Sequence, residues 1–200
     1  MKKLLLAFLL LPLYSAAQLE VGVNGGWLLG NTTPTVISNI GTVYGAGLYY
    51  RLTHVRFAVG YDANKMNISN DIYYTKPMSD VYAGVDYMWD IMYAGVQAGF
   101  TSIPAARHTE YNYFVSPYAI TTTTSGSGIM YGMHLGFYFR IYNQLFVSAQ
   151  AGYSVVKNTL QERDNMGYSV SYANLRMNMA TLMLGLHYKF HPRHKRGKGK

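Results

Sequence analysis

The sequence predicts an all-β fold, an eight-stranded antiparallel up-and-down transmembrane β-barrel. Three observations carry the prediction: hydrophobicity alternates with a period of two over long runs, charged residues are scarce, and short connections alternate with long ones. The alternation is clearest in residues Ile129–Val156. There Ile129, Tyr131, Met133, Leu135, Phe137, Phe139 and Ile141 share one face, and Met130, Gly132, His134, Gly136, Tyr138 and Arg140 the other. After a break at Tyr142–Gln144, Leu145, Val147, Ala149, Ala151, Tyr153 and Val155 oppose Phe146, Ser148, Gln150, Gly152 and Ser154. Successive side chains of a strand point to opposite faces, so a period of two marks strands, and two runs joined by a tight break mark a hairpin. Each run reaches the roughly 9–11 residues that a tilted strand needs to cross a bilayer.

Composition decides which face meets lipid. Only 13% of the residues are charged, against about 25% in ordinary soluble domains. The more polar face is rich in Gly, Ser and Ala, which suit the crowded interior of a narrow barrel filled by its own side chains. The apolar face is therefore expected to face lipid. Aromatic residues make up 15% of the chain, twenty of them Tyr, a residue at home in strands and at membrane interfaces. No Cys is present, which excludes disulfides, thiolate metal sites and Cys nucleophiles. The formal charge of +8 is concentrated at the two ends, in Lys2, Lys3, Arg193, Lys195, Arg196, Lys198 and Lys200. The body is nearly neutral, so the high pI does not indicate nucleic-acid binding.

Residues 1–17 have the features of a secretory signal peptide: basic Lys2 and Lys3, an apolar core Leu4–Leu13, and small residues Ser15-Ala16-Ala17 before Gln18. The apolar core is too short to span a bilayer as a helix, which takes about 20 residues. Residues 18–190 form the expected barrel. Strand one is placed at Leu19–Leu29, with Leu19, Val21, Val23, Trp27 and Leu29 outward, and Asn31–Ile40 is read as a loop. Strand two is Thr42–Leu52 and strand three Val55–Asn64, separated by the short break Thr53-His54; Lys65–Ser79 follows as a longer polar connection. Strand four, Asp80–Met88, turns at Trp89-Asp90 into strand five, Ile91–Thr101. The longest connection is Ser102–Gly128. Strands six and seven are the hairpin above, Lys157–Asn174 connects them onward, and strand eight is Met177–Phe190. Short turns at one end and long loops at the other are expected of outer-membrane barrels, as is an even strand count. Residues 191–200 form a basic tail expected to be disordered in the periplasm.

The chain resembles the small eight-stranded outer-membrane β-barrels typified by outer-membrane proteins A and X. It is most similar to the outer membrane protein beta-barrel domain group of Bacteroidetes, which includes PorT-like proteins. The resemblance is carried by Ala16-Ala17 before Gln18, the Gly-aromatic strands, and the closing strand Leu184-Gly185-Leu186-His187-Tyr188-Lys189-Phe190. That strand is similar to a barrel-insertion signal, an alternating terminal strand ending in Phe. The chain departs from the pattern in continuing for ten residues beyond Phe190. The resemblance implies architecture and an outer-membrane location, and names no function.

Four groups of residues are candidate sites. Glu20, Arg51, Arg56, Asp86, Arg140 and Lys189 all fall on the inward face near short turns or termini. They are expected to pair as a charge network plugging the periplasmic end of the lumen, because isolated buried charges are too costly; a gated ion path is the alternative. His134 with Ser148 and Ser154 raises acyl-transfer chemistry on lipid A, since some small barrels are lipid-modifying enzymes. However, no nucleophile–base–acid set faces a lipid-accessible opening, so a non-enzymatic protein is expected. His191 and His194 lack further ligands for a metal, and neither a metal nor a cofactor is expected. Tyr111, Tyr113, Phe114 and Tyr118 in the third long loop form either a binding surface or extensions of strands five and six. The expected partners are outer-membrane lipid and an envelope protein touching the loops or the tail, with the barrel itself monomeric.

Overall fold

The computed structural model describes residues 18–33, 37–67, 75–110, 120–163 and 169–190. Their alternating side chains form eight strands: β1 Gln18–Thr33, β2 Ile37–Leu52, β3 Val55–Asn67, β4 Thr75–Trp89, β5 Met92–Glu110, β6 Ile120–Tyr142, β7 Leu145–Arg163 and β8 Ser169–Phe190. Each strand pairs antiparallel with its neighbour in sequence, and β1 pairs with β8 to close the barrel. The closing ladder runs from Leu19 opposite Phe190 to Thr33 opposite Arg176. Closure leaves no free edge, which is the condition for a sheet to cross lipid.

Register fixes which residues share a face. Outward from the turn end upward stand Leu19 to Leu29 on β1, Leu52 to Tyr44 on β2, Val55 to Tyr61 on β3 and Tyr87 to Val81 on β4. Met92 to Phe100, Ile141 to Ile129, Leu145 to Val155 and Phe190 to Ala180 complete the band on β5 to β8. No residue of this outward set is charged. Its large apolar side chains are exposed at the protein surface, among them Trp27, Leu48, Val96, Phe100 and Met133. A soluble monomer rarely exposes a contiguous apolar patch beyond a few hundred Å², whereas this one encircles the molecule.

The short turns lie where expected, with two small shifts. The β2–β3 turn is Thr53-His54. The β4–β5 turn is Asp90-Ile91, so Trp89 ends β4 and Ile91 is not in a strand. The β6–β7 turn is Asn143-Gln144, with Tyr142 paired to Leu145. Thr53 and Asp90 take left-handed conformations, φ 35° and 54°. Backbone bonds tie the turns to neighbouring hairpins: Met88 N–H donates to His54 O at 2.7 Å, Tyr138 N–H to Ile91 O at 2.7 Å, and Lys189 N–H to Gln144 O at 2.9 Å.

The long connections are much shorter than the sequence suggests. Strand four begins at Thr75, not Asp80; β5 continues to Glu110, and β6 begins at Ile120. Similarly, β1 and β2 reach Thr33 and Ile37, and β7 and β8 reach Arg163 and Ser169. The reason is physical. Polar residues above an apolar band still pair backbone to backbone, and a run such as Thr121–Thr124 in β6 favours strand. Polarity therefore marks the edge of the band, not the end of a strand. A register shift in the β5–β6 ladder falls between Ile103 and Ala106, at Pro104, which has no N–H to give to the ladder.

Candidate functional site

The candidate site is the inside of the barrel, and its residues are placed by register. Arg56 on β3 and Asp86 on β4 are direct cross-strand partners. Both are almost completely buried. Arg56 Nε donates to Asp86 Oδ2 at 2.7 Å. The other carboxylate oxygen of Asp86 accepts from His134 Nε2, also at 2.7 Å. His134 sits on β6, one strand beyond the neighbour of Asp86. The bond spans β5 at Gly95, which lies opposite both residues. A Cβ at Gly95 would collide with Asp86 Oδ1 and stand 2.8 Å from His134 Nε2. The glycine is what lets the two side chains meet. Gly136 repeats the device: it stands between Tyr93 and Gln150 in register, and the Tyr93 hydroxyl donates to Gln150 Oε1 at 2.9 Å.

Three rings surround the Arg56 guanidinium: Tyr93 at 4.6 Å, Tyr49 at 4.8 Å and Tyr138 at 5.5 Å from ring centroids. Cation–π attraction strengthens when the cation is desolvated, so the cage stabilises the guanidinium where water is absent. Tyr138 in turn donates to Glu20 Oε2 at 2.7 Å, across the lumen from β6 to β1. Its ring stacks on Phe146 at 4.7 Å. His187 packs edge-on to Tyr49 and Tyr138, and its Nε2 lies 2.8 Å from Ser148 Oγ.

Among the described residues one ion pair between carboxylate and guanidinium joins two of the six charged residues singled out from the sequence, and Glu20 and Lys189 are direct cross-strand partners. Arg56 and Asp86 form the paired centre with His134. Glu20 is fully buried and held by Tyr138, with no cation bonded to it among the described residues. Lys189 is buried with its ammonium 5.4 Å from the Phe146 ring. Arg51 is half-buried and turns to the Thr53 carbonyl at 3.4 Å. Arg140 is exposed at the turn end. The tyrosine cage and the bond from Asp86 to His134 were not anticipated. An inward tyrosine on each of three strands was legible, but their convergence on one cation depends on stagger between strands, which the alternation does not carry.

Above this layer, Asp62 and Asp80 face each other across the β3–β4 ladder, both buried. Asn64 donates to Asp80 Oδ2, while among the described residues Oδ1 of each carboxylate has no partner within good hydrogen-bond geometry. Beside them the loop-side half of the lumen holds an apolar cluster of Leu28, Met78, Tyr82, Ile103, Met130, Val156, Met177 and Met179, with Thr101 and Asn158 also buried there. Methionine conforms to irregular gaps, which suits a plug built from several strands. Enclosed cavities of about 20 and 10 Å³ remain, room for about one water each. Among the described residues no group of three His, Asp or Glu could hold a metal. His191, His194, Tyr111, Tyr113, Phe114 and Tyr118 lie outside the described residues.

The Ser148–His187 contact has the atoms of a nucleophile and its base, yet both residues are buried. The cavity beside them is the one of about 10 Å³.

No protein-family model matches the chain, and no curated relative does. Solved structures do share its fold. Neisserial surface protein A is similar at 16% identity, covering 88% of this chain and 100% of that one, with a TM-score of 0.51. The outer membrane protein AlkL is similar at 13% identity over 90% and 93%, TM-score 0.53. Ail, the attachment invasion locus protein of Yersinia pestis, is similar at 8% identity over 87% and 100%, TM-score 0.50. The chain has the closed eight-stranded architecture of outer-membrane barrels.

Proposed function

We propose that this is a non-enzymatic integral outer-membrane barrel whose lumen is a structural plug, and that it acts through its outer loops or its basic tail as part of an envelope or secretion assembly. One observation carries the reading. Polarity is inverted relative to a soluble barrel, with an uncharged apolar band outside and the buried ions, amides and hydroxyls inside. The signal-peptide features of residues 1–17 support an outer-membrane location. The affinity with PorT-like proteins rests on the closing strand ending at Phe190 and the Gly-aromatic strands. The lumen filled by buried side chains, Ser148 among them, supports a role outside the barrel.

Reconstitution into a planar bilayer tests the plug. No steady single-channel conductance is expected, and Arg140→Ala should change nothing. A reproducible conductance step altered by that substitution would establish the ion path instead. Cross-linking in native outer membranes, compared between the full chain and a variant lacking residues 191–200, tests the assembly. A stoichiometric partner lost with the tail supports the reading; an unaltered solitary barrel refutes the tail's part in it.

A further inference from the structure

On the outward face the first charges above the apolar band are all cations. Lys157 on β7 and Arg176 on β8 stand directly opposite each other, both exposed and both outward. Like charges opposed across a ladder destabilise it, and among the described residues no carboxylate shares this face. Lys157 does not turn away to water: its ammonium lies 5.7 Å from the centroid of Tyr131. One register step below Arg176, Asn31 and Asn178 pair across the β1–β8 seam on the same face, and Oδ1 of each lacks a partner.

Immediately beneath Lys157 the apolar wall is concave. Tyr131, Met133, Tyr153 and Val155 flank an outward groove of about 730 Å³ floored at Ala83 and Ala98. The small side chains of β4 and β5 make the hollow, and the tyrosines of β6 and β7 make its rim. A cationic pair above an acyl-sized groove, at the loop end of the barrel, matches one class of molecule in both chemistry and height.

We infer that Lys157 and Arg176, with the Tyr131–Val155 groove below them, form a binding site for a phosphorylated lipid of the outer leaflet. The phosphate would sit between the two cations and an acyl chain in the groove. This rests on the barrel spanning the membrane with its long connections outward. Anionic lipid attracts each nearby Lys or Arg by about 1 kcal/mol, so the pair corresponds to roughly thirtyfold in affinity.

The test uses the full mature chain in phosphatidylcholine nanodiscs, titrated with diphosphorylated lipid A and with the same lipid after phosphate removal. Binding is read by native mass spectrometry. The site predicts saturable binding of the phosphorylated form only, weakened roughly thirtyfold in Lys157→Gln/Arg176→Gln. It should be nearly unchanged in Lys65→Gln, which removes an outward cation from β3. Ala98→Phe, which fills the groove, should weaken lipid binding as well. Equal binding of the dephosphorylated lipid, or an equal loss in Lys65→Gln, would overturn the site in favour of diffuse attraction. Saturation by inorganic phosphate alone at the same concentration would also overturn the lipid assignment. Quenching of Trp27 and Trp89 by brominated acyl chains is measured on the same samples. Its absence would refute the membrane-spanning reading itself, which separates the two failures.

Discussion

Arg56 and Asp86 allow the energetics of the plug to be measured directly. Arg56 and Asp86 are 2% and 1% exposed and joined at 2.7 Å. Charges centred some 4 Å apart attract by about 4 kcal/mol at an effective dielectric near 20. Removing one member of a buried pair costs about 3–5 kcal/mol, since the survivor keeps its desolvation penalty without its partner. The two single losses should differ. Asp86→Leu strands a guanidinium inside the tyrosine cage and removes the acceptor of His134, so it should cost the full 3–5 kcal/mol. Arg56→Met leaves Asp86 still accepting from His134, and should cost about 2–3 kcal/mol. The double variant replaces both ions with apolar side chains and should cost about 0–2 kcal/mol, well below the sum. The assay is reversible urea unfolding from lipid vesicles, followed by emission of the outward-facing Trp27 and Trp89, the only tryptophans in the chain. A coupling energy above ~2 kcal/mol is expected. Additivity within about 0.5 kcal/mol would show that the two charges do not depend on each other, and the plug reading would fail.

Four further outcomes follow from the same geometry. Gly95→Ala should destabilise by about 2–3 kcal/mol, because its methyl displaces the Asp86–His134 bond. Gly25→Ala, outward and with only Val43 O near at 3.8 Å, should be close to neutral in the same unfolding assay. Asp62→Asn removes one of two facing buried carboxylates and should raise the unfolding midpoint by the equivalent of about 1 kcal/mol; a lower midpoint would mean that both charges are compensated. Thr53 holds a β-branched side chain at φ 35°, a poor conformation for it. Thr53→Gly should slow unfolding with a gain of up to about 1 kcal/mol, and a loss would show that the turn depends on the threonine side chain.

How much of this was legible in the sequence depends on what sets each feature. Facing direction is local, because side chains alternate whatever the neighbouring strand does. Thus Val81, Ala83, Val85 and Tyr87 could be assigned outward even in the least regular strand. Strand ends were not legible, because the extensions from Thr101 to Glu110 and from Ile129 back to Ile120 carry no sustained apolar alternation and are held mainly by backbone pairing, with Ile103 joining the core cluster. The site was half legible. That Arg56 and Asp86 point inward follows from alternation, and that they are near the same turn level follows from the short connections. That Arg140 is left exposed at the turn end does not. It lies next to the register shift between Arg140 and Tyr142, a displacement with no signature in the pattern of apolar residues.

The plug also explains why the glycines lie where they do, and this bears on function. An eight-stranded barrel crowds its inner face, so a bond between side chains two strands apart is possible only when the strand between them contributes no side chain. Gly95 and Gly136 each meet that condition, under Asp86–His134 and Tyr93–Gln150. A conducting lumen would need the opposite arrangement, with polar groups held apart and water between them. Here the polar groups are drawn together over glycine gaps, and the loop-side half is sealed by methionines. On the proposed plug reading, such an interior favours rigidity over solute transport. On the proposed reading, recognition occurs on surfaces the plug holds steady: the loop-end rim with its outward cations Lys157 and Arg176, and the turn end with Arg51 and Arg140.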